Sequence, residues 1–169
     1  MQLLGNYLTL SLLPLLLAAC STDPAPAASQ EPASAVDISK ELLGTWETVE
    51  VDVRYTTYQN QDTAFQQVIR EGDWGKLFGV RPARTEFTPD GKHKRTHTLS
   101  SGQVADITNG VWKARGADSL LIIEPNRTFF YEHELSGDRL VLTGTVDYDL
   151  DGEVDDAYRS VLRLVSRTQ

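Results

Sequence analysis

The chain contains 169 residues, 40% of them hydrophobic and 24% charged, which is enough for one folded domain with a hydrophobic core. Its 24 acidic residues outnumber the 16 Lys and Arg residues, so the formal net charge is −8. Because this acidic excess repels phosphate backbones, the composition argues against a nucleic-acid partner. The single cysteine excludes an intramolecular disulfide framework.

An apolar stretch near the N-terminus, residues 8–19, is too short to span a bilayer and is typical of a signal-peptide core. It ends in a motif that resembles the lipobox of bacterial lipoproteins, Leu17-Ala18-Ala19-Cys20. The resemblance implies cleavage before Cys20 and attachment of acyl chains such as palmitate, which would hold the protein on a membrane. The preceding residues contain no Lys or Arg, unlike the usual pattern. An ordinary signal peptide is the alternative.

The residues after the cysteine indicate where the protein is delivered and how the folded domain is linked to the membrane anchor. Ser21 follows Cys20, and the lipoprotein resemblance therefore implies delivery to the outer membrane of a Gram-negative bacterium, facing the periplasm or the cell surface. Residues 21–35 are rich in Pro, Ala and Ser and contain no large apolar side chain. Such a tract cannot bury enough surface to fold, so it is predicted to be a semi-extended tether. The predicted organisation is a signal peptide (1–19), a lipidated tether (20–40) and a folded domain (41–169).

The folded domain is predicted to start with a strand over residues 45–55, where Val and Tyr side chains alternate with charged ones. Trp46 is out of phase with this alternation, which predicts a β-bulge near Glu47 or Thr48. The strand is therefore expected to bury one face and expose the other.

A long connection, residues 56–83, follows this strand and is typical of a lid or a binding loop. Within it, residues 63–70 are predicted to form a short helix. Trp74 and Phe78 lie farther along and would serve as exposed aromatic side chains that either cap a cavity or dock on a protein.

The rest of the chain predicts a series of antiparallel strands. Pro89-Asp90-Gly91 is a turn motif that predicts a hairpin between residues 85–88 and 92–99, and a loop is predicted over residues 100–109. The further predicted strands are 110–115, 119–124, 128–135, 139–148 and 157–166. Because short turns between consecutive strands make neighbours antiparallel, the fold class is all-β, with about eight strands in a sandwich or a closed meander.

The start of this meander, Leu43-Gly44-Thr45-Trp46, matches the Gly-x-Trp signature of the first lipocalin strand, and the chain resembles the bacterial lipocalin-like domains. The resemblance implies an eight-stranded β-barrel that either holds one small ligand or is filled by its own side chains. In lipocalins an Arg of the last strand packs across this Trp by a cation–π contact. The candidates for that residue are Arg163 first, then Arg159 and Arg167.

The basic side chains of the predicted strand 92–99 are candidates for ligand binding. His93, Arg95 and His97 share one face, and they would meet a carboxylate or phosphate headgroup if that face points into the barrel. A solvated hairpin arm with outward charges is the favoured alternative, because unpaired buried cations are rarely tolerated. The candidate ligand-binding residues are His93, Arg95, His97, Trp74, Tyr131 and His133. For His133, a satisfied core histidine is the alternative interpretation.

Residues 147–156 contain six carboxylates and match the first part of an EF-hand calcium loop. The candidate metal ligands are Asp147, Asp149, Asp151, Glu153 through its carbonyl, and Asp155. Position 12 of the loop is Tyr158 and not the usual bidentate Glu, so any structural Ca²⁺ is expected to bind weakly, with a Kd of about 10⁻⁴ to 10⁻³ M. A solvated acidic hairpin tip is the alternative.

The sequence contains no nucleophile elbow, no His-Glu-x-x-His motif and no glycine-rich phosphate loop. We therefore expect a non-catalytic, membrane-anchored envelope lipoprotein that binds a small hydrophobic or amphiphilic ligand. One alternative is a calcium-stabilised module with a filled barrel, whose partner is another envelope protein. The other is a hydrolase centred on His133.

Overall fold

The computed structural model describes residues 38–168, which form nine strands and two short helices. The predicted signal peptide, Cys20 and most of the predicted tether lie outside these residues. The elements in chain order are α1 (Ile38–Glu41), β1 (Gly44–Tyr55), β2 (Phe65–Arg70), α2 (Trp74–Phe78), β3 (Arg84–Phe87), β4 (Lys92–Thr98), β5 (Val104–Arg115), β6 (Ser119–Glu124), β7 (Arg127–Ser136), β8 (Arg139–Val146) and β9 (Asp156–Ser166).

The strands form one antiparallel sheet that closes on itself. Strands β3 to β9 follow one another as neighbours, and β9 pairs with β1. The other edge of β1 is divided between two strands, because residues 44–47 pair with β3 and residues 50–55 pair with β2. The fold is a closed eight-stranded, lipocalin-like β-barrel with β2 as an additional strand. This confirms the all-β antiparallel meander predicted from the sequence.

A bulge in β1 turns Trp46 into the core. The register between β1 and β9 shifts between Thr48 and Glu50, which leaves Val49 as an extra residue on β1. The extra residue reverses the side-chain alternation, so that both Trp46 and Val51 point inward, with 0% and 3% exposure. The predicted bulge near Thr48 is confirmed.

Two local predictions are wrong. Residues 63–70, predicted to form a short helix, contain β2, because the edge of β1 beyond residue 50 offers unpaired backbone groups to this segment. The predicted loop over residues 100–109 is shorter, because β5 begins at Val104 and pairs with β4. The long connection after β1 therefore contains both an added strand and the short helix α2.

One end of the barrel is covered by α1 and the residue that follows it. Ile38 and Leu42 are 3% and 0% exposed and pack with Trp46 in the core. The Nε1 of Trp46 donates a hydrogen bond to the Leu42 carbonyl at 2.8 Å. The guanidinium carbon of Arg167 lies 5.8 Å from the centroid of the Trp46 ring, so Arg167 makes the cation–π contact at this end.

Arg163, the first candidate for that contact, is placed elsewhere and the assignment is corrected to Arg167. Arg163 lies on the outside of the barrel, where its Nη2 is 2.9 Å from Glu47 and 2.7 Å from Glu71. The preceding residue, Leu162, is 4% exposed and faces the core, so strand alternation turns Arg163 outward.

The core consists of two groups of buried apolar side chains. The larger group surrounds Trp46 and contains Ile38, Leu42, Phe87, Trp112, Leu120, Ile122, Tyr131, Leu140, Leu142, Val146 and Leu162. The smaller group is Val51, Val53 and Tyr55. Within residues 38–168, neither helix has the length and apolar character needed to cross a membrane.

Candidate functional site

The barrel contains a cavity of about 650 Å³, which lies in the usual size range of small-molecule pockets. Val51 and Leu162, one from each buried group, form part of its wall. Two polar side chains of β4, Arg95 and His97, also line the cavity. The face of β4 that carries these basic residues therefore points into the barrel and not into solvent.

Glu124 balances the charge of Arg95. The Nη2 of Arg95 lies 2.6 Å from Glu124 Oε1, and the two side chains are 27% and 9% exposed. The residues come from β4 and from the end of β6, which lie on either side of β5. Because Arg95 is paired, its position inside the barrel is tolerated. Glu124 is absent from the predicted set, although alternation with the buried Leu120 and Ile122 marks it as inward.

The two histidines of β4 are uncharged at neutral pH. Burial, with the positive charge of Arg95 as the second cause, lowers the pKa of His93 to about 4. Burial also lowers the pKa of His97, again with Arg95 as the second cause. Of the three predicted basic groups, Arg95 alone carries a charge. His97 lines the cavity, whereas His93 does not; His93 is 2% exposed, and its Nε2 lies 3.9 Å from Glu124 Oε1.

A strand glycine makes room for the His93 ring. Gly110 of β5 is paired with His93 of β4. A Cβ atom at position 110 would overlap both the Nε2 of His93 and the carbonyl oxygen of Ile123. Glycine therefore allows the imidazole to pack directly against the backbone of β5, beside Glu124.

Aromatic rings form a continuous part of the cavity wall. The ring centroids of Tyr148 and Tyr158 are 5.9 Å apart, and those of Tyr158 and Tyr131 are 5.7 Å apart. Trp74, the first residue of α2, also lines the cavity. Burial raises the pKa of the Tyr131, Tyr148 and Tyr158 hydroxyls, so these phenols remain neutral hydrogen-bonding groups.

Four of the six predicted ligand-binding residues line this cavity together: Trp74, Arg95, His97 and Tyr131. His133 does not join them, because it lines a separate hollow of about 120 Å³ with Ile38 and Leu135. Burial lowers the pKa of His133, so the imidazole is neutral at neutral pH. The structure therefore separates His133 from the other candidates.

The acidic segment between β8 and β9 brings three carboxylates together. One oxygen atom from each of Asp147, Asp149 and Asp151 lies within 4.8 Å of the other two. Glu153 is exposed, and Asp155 is not part of this group. Three of the five predicted metal ligands thus form a cluster of the kind that hard cations bind.

The segment after β1 donates hydrogen bonds that hold this acidic segment in place. The backbone N–H of Gln59 donates to Asp149 Oδ2 at 2.5 Å, and the N–H of Asn60 donates to Asp151 Oδ2 at 3.1 Å. The Oγ1 of Thr57 donates to Asp155 Oδ2 at 3.1 Å. These bonds fix the carboxylates at the end of the barrel where β1 ends and β9 begins.

Comparison of the sequence with models of known protein families gives no match, and comparison with curated protein sequences gives none either. The fold is a closed, lipocalin-like β-barrel, and its interior cavity is lined by the Arg95–Glu124 ion pair and by aromatic rings.

Proposed function

We propose that this protein is a non-catalytic binding protein that holds a small amphiphilic ligand inside its barrel. The observation that carries the proposal is the interior cavity, where the guanidinium of Arg95 stands beside apolar and aromatic side chains. In this proposal the apolar part of the ligand packs on that wall, and its polar head bonds to Arg95 and His97. Acylation of Cys20 would anchor the barrel to the outer membrane, which the lipobox-like motif ending in that cysteine supports.

Arg95 has free hydrogen-bonding capacity for a headgroup. Its guanidinium carries five N–H donors, and the contact with Glu124 involves the Nη2 atom. A carboxylate or phosphate oxygen can therefore bond to Arg95 while sharing the cation with Glu124. The neutral His97 adds a second hydrogen-bonding group on the same wall.

Native mass spectrometry of the purified protein tests this function. The wild-type protein should carry the additional mass of an amphiphile. The double variant Arg95→Met/Glu124→Met should lose this mass, because it removes the headgroup partner together with its counter-ion, so that neither charge is left without the other. Circular dichroism checks that the variant is folded.

The matched control is Lys94→Met/Glu86→Met. This variant removes an ion pair of 3.1 Å between β3 and β4 on the exposed side of the sheet, and it should keep the ligand. A wild-type protein without any additional mass, or a cavity double variant that retains the ligand, would contradict the proposal.

We propose as well that Asp147, Asp149 and Asp151 bind a structural Ca²⁺ ion. Their oxygen atoms converge within 4.8 Å, which is a donor set that Ca²⁺ binds, and the N–H groups of Gln59 and Asn60 hold Asp149 and Asp151 in place. Because position 12 of the loop is Tyr158, we expect a Kd of about 10⁻⁴ to 10⁻³ M. Such an ion would also stabilise the barrel in the alternative function, a module that contacts another envelope protein.

Thermal unfolding with and without Ca²⁺ tests the metal site. At a tenfold excess of Ca²⁺ over Kd, the ion should stabilise the wild-type protein by about 1.4 kcal/mol, and EDTA should reverse the effect. Asp149→Asn/Asp151→Asn should abolish this shift, whereas Asp62→Asn, a change at an exposed carboxylate outside the cluster, should not. The same shift in all variants, or none in the wild type, would show that the cluster binds no calcium.

A further inference from the structure

We infer that the apolar part of the ligand is a planar aromatic ring system and not a flexible acyl chain. The inference rests on the proposed ligand-binding function. It starts from the composition of the cavity wall, to which Tyr131, Tyr148, Tyr158 and Trp74 contribute their rings. Rings prefer to pack against other rings in offset or edge-to-face arrangements, which an acyl chain cannot provide.

The tyrosine rings form one connected surface. The planes of Tyr148 and Tyr158 are inclined by 29°, and those of Tyr158 and Tyr131 by 39°. Phe129 does not line the cavity, but it packs against Tyr131, with 5.6 Å between the ring centroids and 11° between the planes. A row of rings with similar orientation offers a ligand ring several equivalent packing partners.

A glycine allows two of these rings to meet. Gly144 of β8 is paired with Tyr158 of β9. A Cβ at position 144 would lie 2.7 Å from the Phe130 carbonyl oxygen and 3.1 Å from Cδ1 of Tyr131. A side chain here would therefore push the β7 backbone and the Tyr131 ring away. The absence of a side chain at position 144 keeps Tyr131 and Tyr158 in contact across β8.

Trp74 offers a hydrogen bond that the protein itself does not use. Its Nε1 is buried and has no hydrogen-bond partner among residues 38–168. The ring packs against the buried group of Val51, Val53 and Tyr55. Because a buried donor without an acceptor is unfavourable, this N–H is a site where an acceptor group or π face of the ligand is stabilised.

The conformational entropy lost on binding also favours a ring over an acyl chain at this wall. An acyl chain loses rotamer freedom when it is bound, whereas a fused ring has almost none to lose. Ring packing adds to the burial of apolar area. Together these effects predict that an aromatic carboxylate binds about tenfold more tightly than an acyl carboxylate with the same number of carbon atoms.

Isothermal titration calorimetry with 2-naphthoate and undecanoate tests the inference, because the two probes share the carboxylate and the number of carbon atoms. Wild-type protein should bind 2-naphthoate about tenfold more tightly. Trp74→Leu should weaken 2-naphthoate binding by about tenfold and leave undecanoate unchanged, and Trp74→Phe should retain the preference. Phe130→Leu is the control, since Phe130 is an aromatic residue of β7 that is 61% exposed and does not line the cavity.

The outcomes separate this inference from the proposed function. If undecanoate binds as tightly as 2-naphthoate or more tightly, the aromatic preference is overturned and the ligand-binding function stands. If neither probe binds, both are overturned. If the preference is unchanged in Trp74→Leu, the wall described above does not produce it, and the inference fails for that reason.

Discussion

Replacing Arg95 by Met should lower the free energy of unfolding by about 3 kcal/mol, because the substitution leaves Glu124 without its counter-ion inside the barrel. The Glu124 side chain is 9% exposed, and its Oε1 lies 2.6 Å from Arg95. Water has little access to this carboxylate and cannot fully replace the lost partner. Urea unfolding at neutral pH, followed by circular dichroism, measures the change.

Two further variants separate the charge effect from the change in volume. Arg95→Met/Glu124→Met should recover most of the lost stability, since Glu124 is no longer present as a buried carboxylate without its counter-ion. Lys94→Met removes a cation from the outer face of the same strand, where its partner Glu86 is 39% exposed, and should change stability by less than about 0.5 kcal/mol. Equal losses for Arg95→Met and Lys94→Met would refute the importance of the interior ion pair.

Gly110→Ala should also destabilise the barrel by about 3 kcal/mol, because the added methyl group has no free space. It would overlap the carbonyl oxygen of Ile123 on one side and the Nε2 of His93 on the other. The strands β5 and β6 would have to separate locally to accommodate it. Thermal and urea unfolding of the variant measure the effect.

A second glycine provides the control for this prediction. Gly72 has no neighbouring atom within 4 Å of the position that a Cβ would take, so Gly72→Ala should change stability by less than about 0.5 kcal/mol. His93→Ala combined with Gly110→Ala should recover only part of the loss, because the Ile123 carbonyl still lies in the way. Full recovery would mean that the imidazole alone requires glycine at this position.

Side-chain alternation and turn residues predicted most of the barrel. The Asp90-Gly91 pair marks the hairpin between β3 and β4, where Gly91 has a φ of 75° that favours glycine. The predicted strand 119–124 matches β6 at both ends, because turn residues flank it. Side-chain alternation is also regular in β7, where Tyr131 is 6% exposed and the neighbouring Phe130 is 61% exposed.

The features that were missed depend on partners distant in sequence. β2 forms because half of one edge of β1 is free, which the local pattern of residues 63–70 does not reveal. Arg167 reaches the Trp46 ring because the register shifts again, with Trp46 opposite Leu164 and Thr45 opposite Ser166. This shift reverses the side-chain alternation along β9, so that Arg167 reaches Trp46 although Arg163 faces outward. The sequence of β9 alone does not reveal this register shift.

For the ligand cavity, the sequence supplied the basic residues but not their counter-ion. Placing Arg95 beside Glu124 requires knowing that β4 and β6 flank the same strand. Without that knowledge, the unfavourable burial of an unpaired cation argued for an outward face. The row formed by Tyr131, Tyr148 and Tyr158 was missed for a similar reason, since its members come from β7, from the segment after β8, and from β9.

The pairing of β1 with β9 determines when this barrel can form during synthesis. Thr45 is opposite Ser166, so the closing contact joins residues at the two ends of the domain. Contacts between such distant residues slow folding, and the cation–π contact of Arg167 with Trp46 is absent until the residues after the last strand have been made. A nascent or truncated chain that lacks β9 is an open sheet whose unpaired edges, on β1 and β8, invite pairing with other chains. Protection from aggregation therefore depends on the final residues of the domain.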